Sequence, residues 1–205
     1  RKVLDTGQCA LLTQAVLQEN GSNIIVATRL QLAKGRVSEV ETVIARPKVA
    51  DKDATQKQSY ELGGKSFELF GFSPDKVAME DGDHWNSILP LRERRSREEL
   101  TKIADSYFTL FDKPDTAVPF APYCNRFENG VETTRGVCPY AGAKGGLKVT
   151  NRRYPVTDVD AGIAVGYVLF GGNLLDLHIF KIRNGQITQI QAVTGPPSNT
   201  TGWEN

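Results

Sequence analysis

"GGNLLDLHIFKIRNGQITQIQAV" (171–193) is a β-hairpin that this chain writes twice, because "GSNIIVATRLQLAKGRVSEVETV" (21–43) precedes it at a constant offset of 150 without a gap. Gly21 matches Gly171, Asn23 matches Asn173, Leu30 matches Phe180 and Gly35 matches Gly185. Val37, Val40 and Val43 match Ile187, Ile190 and Val193. Apolar positions that match apolar ones, with turn glycines in register, mark a duplicated unit. Each copy reads strand, two-residue turn, strand, with Lys34-Gly35 and Asn184-Gly185 as the turns. Asn-Gly suits a type I′ hairpin because both central residues need positive φ. An apolar run leads into each hairpin, "CALLTQAVL" (9–17) and "GIAVGYVLF" (162–170). Each copy therefore predicts a three-strand antiparallel meander.

What precedes the meander differs between the copies. Upstream of the second lies "SREELTKIADSYFTLFD" (96–112), where Ser96 and Glu99 make an S-x-x-E capping box. Leu100, Ile103, Ala104, Tyr107, Phe108 and Phe111 recur at helical spacing on one face. The second copy thus predicts a long amphipathic helix, a short strand with a loop, then a curved sheet. The first copy has no helix before its strands. The expected organisation is a partial sheet over 1–47, a polar linker over 48–83 with one short helix around 54–62, a complete unit over 84–197, and a tail over 198–205. The fold class is α+β.

The 205 residues are 40% hydrophobic and 24% charged, an ordinary balance for a globular chain. Basic and acidic side chains number 25 and 24, so the net charge is +1 and no nucleic-acid partner is expected. The densest basic run, "LRERRSREE" (91–99), is interleaved with glutamates and reads as a solvated approach to the helix. No apolar stretch nears the ~20 residues that cross a bilayer, so no membrane partner is expected. The chain starts "RKVLDTG" and its one methionine is Met79, which reads as a processed chain or a fragment. Sequons stand at Asn20 and Asn199, and both are candidate glycosylation sites. Cys124 and Cys138 bracket one loop, while Cys9 begins an apolar run. A bond between Cys124 and Cys138 would close a loop of about 15 residues and contribute ~3 kcal/mol in the chain-entropy model. The other reading is two reduced, half-buried thiols. The bonded form corresponds to a secreted or otherwise oxidising compartment, the reduced form to the cytoplasm.

Six short motifs follow one another between residues 84 and 194: Trp85–Pro90 (WNSILP), Ser96–Leu100 (SREEL), Tyr107-Phe108, Cys124–Gly130 (CNRFENG), Arg152–Asp158 (RRYPVTD) and Phe180–Ile187 (FKIRNGQI). In this order they resemble an uncharacterised fungal and bacterial branch of the SnoaL-like, nuclear-transport-factor-two-like superfamily. The chain departs from that pattern at His178, where the resemblance leads one to expect an acidic residue. The resemblance implies a cone-shaped curved antiparallel sheet wrapped around the amphipathic helix, with a pocket between them. It also implies cofactor-free proton chemistry of lyase or isomerase type (dehydration, isomerisation or cyclisation), or a non-catalytic module that binds a small ligand or dimerises. Fold alone does not choose between these.

Alternation along 174–182 puts Leu174, Asp176, His178, Phe180 and Ile182 on one face. Asp176 and His178 would then point into the hollow as a catalytic pair, the histidine moving a proton and the carboxylate orienting it or acting as base. Their counterparts in the first copy are Val26 and Thr28, so that chemistry is not duplicated. Within "CNRFENG", Cys124, Arg126 and Glu128 share one side of an extended segment and Asn125, Phe127 and Asn129 the other. Arg126, Glu128, Asn129 and Tyr167 are the candidate substrate-binding residues, placed to hold an anionic or carbonyl oxygen. Arg126 and Glu128 are also suited to brace one another. Arg152 and Arg153 point to opposite faces, one exposed and one ion-paired. Asp158 and Asp160 read as turn residues, with no metal expected. His84 reads as a surface residue and "YAGAKGG" (140–146) as a flexible loop or lid. No Walker loop, dinucleotide fingerprint or zinc-protease motif occurs, so no cofactor is expected. A small-molecule substrate or ligand is. A homo-oligomer, or an N-terminal segment completing the first copy, is the expected cover for its uncovered sheet face.

Overall fold

The computed structural model describes residues 1–46, 58–62, 65–69, 71–79, 85–138 and 146–197. The first sheet has the order β1-β2-β3-β4, from β1 (Lys2–Asp5), β2 (Ala10–Glu19), β3 (Ser22–Ala33) and β4 (Arg36–Ala45). A small hairpin, β5 (Gln58–Leu62) and β6 (Lys65–Leu69), and a short helix α1 (Pro74–Met79) follow. Helix α2 (Arg97–Asp112) precedes the second sheet. That sheet is built from β7 (Phe120–Glu128), β8 (Val131–Thr134), β9 (Val149–Asp158), β10 (Ile163–Phe170), β11 (Leu174–Arg183) and β12 (Gln186–Pro197). Its order is β8-β7-β12-β11-β10-β9, antiparallel throughout except that β7 runs parallel to β12.

The two meanders have the register that the matched sequences require. Leu30 pairs with Val40 and Phe180 with Ile190; Thr28 pairs with Thr42 and His178 with Ala192. Even the irregularity is shared. The β3–β4 pairing slips between Gln31 and Leu32, and the β11–β12 pairing slips between Lys181 and Ile182, 150 residues later. Such bulges bend a strand and deepen its twist. Both predicted turns have positive φ at both central residues, 51° and 74° at Lys34-Gly35 and 50° and 77° at Asn184-Gly185.

Helix α2 starts where the sequence says. The Ser96 hydroxyl accepts from the Glu99 N–H at 3.2 Å, and the Glu99 carboxylate accepts from the Ser96 N–H at 2.9 Å. The basic run before it is less solvated than expected. Arg94 pairs with Asp160, Arg97 with Asp5, and Arg95 donates to Asn184 at 2.8 Å, which fixes the helix start against three surrounding turns.

The second sheet is buried on both faces. One face carries α2, with Leu100, Ala104, Tyr107, Phe108 and Phe111 against Ala164, Phe170, Phe180, Ile182 and Ile190. The other packs on the first sheet, with Val165, Tyr167, Leu177 and Ile179 against Leu12, Ile25, Ala27 and Val43. This explains the unbroken apolar run of β10, in which all eight residues are buried. Between the sheets, Glu41 accepts from Arg29 at 2.6 Å and from Arg153 at 2.7 Å, so an ion triad crosses the interface. Arg152 reaches the other way, to Asp105 of α2 at 3.2 Å. Both arginines are therefore ion-paired, where the sequence reading left one exposed.

The linker expectation needs correction. Residues 58–62 form a strand and not a helix, pairing antiparallel with 65–69 so that Tyr60 stands opposite Phe67 and Leu62 opposite Lys65. The rest of the expected helix, 54–57, lies outside the described residues. Nor is this segment only a connector, since Phe72 is buried and Val77 packs on the inter-sheet core.

Lys181 is wholly buried at the end of that core, and its ammonium donates to the carbonyls of Trp85 and Ala161 at 2.7 Å each. Burial, with Arg183 adding repulsion, lowers its pKa to about 8 from 10.5. Between those two values the unfolded chain binds more protons than the folded one, so stability rises with pH across that window. Relative to Lys181→Met, the wild type gains up to about 3 kcal/mol from pH 7.5 to pH 10.5. Urea unfolding of both proteins at the two pH values measures this, and a constant difference between them would refute it.

Candidate active site

Five polar side chains meet beneath α2, in the midst of the aromatic core. From β7, alternation turns Cys124, Arg126 and Glu128 inward, and all three are buried. From β11, Asp176 and His178 face the same space. Tyr107 reaches down from the helix. The Arg126 guanidinium donates to Tyr107 Oη at 2.9 Å, to Thr133 Oγ1 at 2.9 Å and to Glu128 Oε2 at 2.8 Å. His178 Nδ1 stands 3.1 Å from Asp176 Oδ1. The imidazole stacks on Phe180 at 5.7 Å between centroids, and Phe108 and Tyr107 present at 5.1 and 5.4 Å.

Sheet register explains why these groups share one site. Glu128 pairs with Ala192, and Ala192 pairs with His178. The three form a row across the sheet in which the middle residue is the small one. Gly166 continues the row beyond His178, and a Cβ there would lie 2.7 Å from Phe108 Cε2. Small residues on both sides of His178 thus let the helix rings close over it.

The electrostatics are set by burial. His178 is 0% exposed, Glu128 3%, and Asp176 and Arg126 4% each. Burial works against the Arg126 charge, but Tyr107 and Glu128 more than offset it, so its pKa lies above the ordinary value. Burial raises the Glu128 carboxyl; Arg126 opposes the rise and the Asp176 charge adds to it. Burial likewise raises the Tyr107 hydroxyl. One arginine thus faces two carboxylates and a histidine in a buried site. A buried charge is costly when unpaired, and Arg126 is the cation that offsets Glu128 here. His178 Nε2 and Glu128 Oε1 have no hydrogen-bond partner among the described residues, while His178 Nδ1 and Asp176 Oδ1 face each other without hydrogen-bond geometry. The donor and acceptor capacity for a polar ligand is therefore in place.

The structure places Asp176, His178, Arg126 and Glu128 together, and two expected residues elsewhere. Tyr167 is on the opposite face of the sheet, because it pairs with Leu177 and not with His178. It packs between the sheets, with the Arg153 guanidinium 5.7 Å over its ring. Asn129 occupies a tight turn at φ 46°, and its amide clamps the Thr194 backbone, accepting at 2.9 Å and donating at 3.4 Å. Its side chain is therefore committed to holding β12. The group that sequence reasoning missed is Tyr107, the one hydroxyl on a helix face otherwise made of Leu, Ile, Ala and Phe. Asp158 is a turn residue as expected, accepting from the Ala161 N–H at 2.9 Å.

A disulfide joins Cys124 to Cys138, with both residues fully buried. It ties β7, and so Arg126 and Glu128, to the segment after β8. Cys9 is free and exposed. Asn20 is exposed in the β2–β3 turn; His84, Asn199 and the loop 140–145 lie outside the described residues. No helix among the described residues is long and apolar enough to cross a membrane. A cleft of about 610 Å³ opens elsewhere, between β1 and the β9–β10 turn, and is lined by Lys2, Asp5, Arg97, Asp158 and Asp160 among others. None of the candidate residues borders it.

A family model described as "Domain of unknown function (DUF8021)" matches residues 93–194. The chain is also similar to a crystal structure of a "putative ketosteroid isomerase" from Kribbella flavida DSM 17836, with 12% sequence identity and a TM-score of 0.36. That similarity covers 51% of this chain and 87% of the other. No curated protein matches the chain.

Proposed function

We propose that this chain is a cofactor-independent acid–base enzyme of lyase or isomerase type, acting on a small carbonyl compound beneath α2. The observation that carries the proposal is the fully buried His178–Asp176 contact at 3.1 Å, set in an aromatic cage beside Arg126 and Glu128. Asp176 orients the imidazole, and His178 takes a proton from the carbon next to the carbonyl. Arg126 and Tyr107 face the oxygen on which charge develops. Returning the proton to a different carbon isomerises the substrate. Handing it to a departing hydroxyl releases water and leaves a double bond. The Cys124–Cys138 bond fits an oxidising compartment, and we place the working enzyme there, in secreted form.

The second reading, a non-catalytic small-ligand binder, is favoured by the complete burial of His178 under the aromatic rings. Solvent-deuterium exchange separates the two. A panel of small ketones is incubated with protein in D2O and followed by proton NMR. Wild type catalyses exchange at the carbon beside the carbonyl, and His178→Gln and Asp176→Asn slow it at least about a hundredfold. No exchange across the panel, with shifts confined to the Tyr107 and His178 resonances, identifies a binder. Exchange that persists in both variants removes the pair from the mechanism.

A further inference from the structure

The first sheet turns outward the face whose counterpart in the second sheet carries α2. Because β3–β4 and β11–β12 share one register at an offset of 150 over 26–33 and 176–183, the comparison can be made position by position. Val37 and Val40 are 52% and 61% exposed, whereas Ile187 and Ile190 are both 0%. Leu32 is 42% exposed against 1% for Ile182. Leu17, which pairs with Ile24 as Phe170 pairs with Leu174, is 51% exposed against 2% for Phe170. The opposite faces agree as well. Ala27 and Val43, like their counterparts Leu177 and Val193, lie in the shared inter-sheet core. Two equivalent sheets thus stand back to back, and period-two alternation sends the helix-bearing face of each outward.

We infer that this outward face is the seat of an amphipathic helix of α2's kind, delivered with a strand that pairs along the open edge of β4 as β7 pairs along β12. No strand among the described residues pairs on that edge. The occupant is apolar on its buried side, because Val26 and Thr28 stand where the second sheet has Asp176 and His178. Burial of apolar surface supplies the attraction. The duplicated pairing selects a helix over a second copy of the chain, because α2 is what covers the matching residues Ile182, Ile187 and Ile190. The inference rests on the duplicated pairing and not on the proposed chemistry.

The probe is a fluorescein-labelled peptide of residues 96–113, which spans the α2 sequence. Titrated with the chain, it binds saturably by anisotropy and gains helical circular dichroism. Val40→Asp and Val37→Asp each weaken binding at least tenfold, and Arg135→Ala, at an exposed position after β8, leaves it unchanged. Both valines are exposed, so the unfolding midpoint of each variant verifies the fold. Sedimentation tests the rival occupant. A dimer that Val40→Asp converts to monomer, or an absence of peptide binding by a monomeric chain, overturns the inference. So does peptide binding that neither aspartate variant weakens.

Discussion

Arg126→Met lowers the free energy of unfolding by about 3–5 kcal/mol, because it removes one partner of a fully buried ion pair. The guanidinium donates to side chains of two strands and the helix, Glu128, Thr133 and Tyr107. Without it, Glu128 sits in the core beside Asp176 with no cation against it. Its carboxyl, already raised by burial, rises further and takes up a proton. The sign of the pH dependence follows. A raised carboxyl pKa makes the ionised form the costly one, so the loss in Arg126→Met shrinks as pH falls and grows as pH rises. The double variant Arg126→Met/Glu128→Leu recovers most of the loss, since apolar replacement of a whole buried pair is often neutral. Urea titrations of the three proteins at pH 5 and pH 8 measure these differences. A single-variant loss below about 1 kcal/mol would show that the pair is solvated in solution.

Phe108→Ala costs about 3–5 kcal/mol by the usual range for a buried aromatic truncated to alanine. The ring is wholly buried and meets Tyr107, Phe170, His178 and Phe180 edge-on, at 5.7, 6.2, 5.1 and 5.5 Å. Gly166 is what admits it so close to the sheet. The truncation therefore leaves a cavity directly over the imidazole and not at the margin of the core. Such apolar cavities accept small aromatic guests. Saturating indole is expected to restore part of the lost stability in Phe108→Ala and none in wild type, by linkage. Denaturation with and without indole reads both effects. Equal stabilisation of both proteins would mean that indole binds elsewhere, and none of either that the hollow collapses when the ring is removed.

The sheet was legible in the sequence because its signals are local. Turn glycines, alternation and an apolar run each act over a few residues, and the duplicated hairpin repeats them. The capping box fixed the helix start for the same reason. The polar cluster was half legible. Alternation assigned Asp176 and His178 to one face and Arg126 with Glu128 to another strand's inner side, but it did not reveal that the two strands stand on either side of β12. That relation depends on the parallel β7–β12 pairing, which joins residues more than 60 positions apart and leaves no periodic trace. Tyr167 was misplaced for a related reason. A strand buried on both faces is apolar on both, so its pattern does not say which face holds the helix. The hairpin at 58–69 was missed because each of its strands is only five residues long, too short for the alternation of Tyr60 with Leu62 and of Phe67 with Leu69 to stand out.

The bond between Cys124 and Cys138 closes a ring of backbone that contains Arg126, Glu128 and the β7–β8 turn. The ring also contains Arg135, whose side chain is 75% exposed. A trypsin-like protease that cuts after Arg135 therefore opens the ring without releasing either piece. Strand β7 stays tethered to the rest of the domain through sulfur, and the cluster beneath the helix keeps its strand. Under reducing electrophoresis the nicked protein runs as two fragments, and without reductant it runs as one. In an environment rich in proteases, the staple makes a cut at this exposed arginine structurally silent.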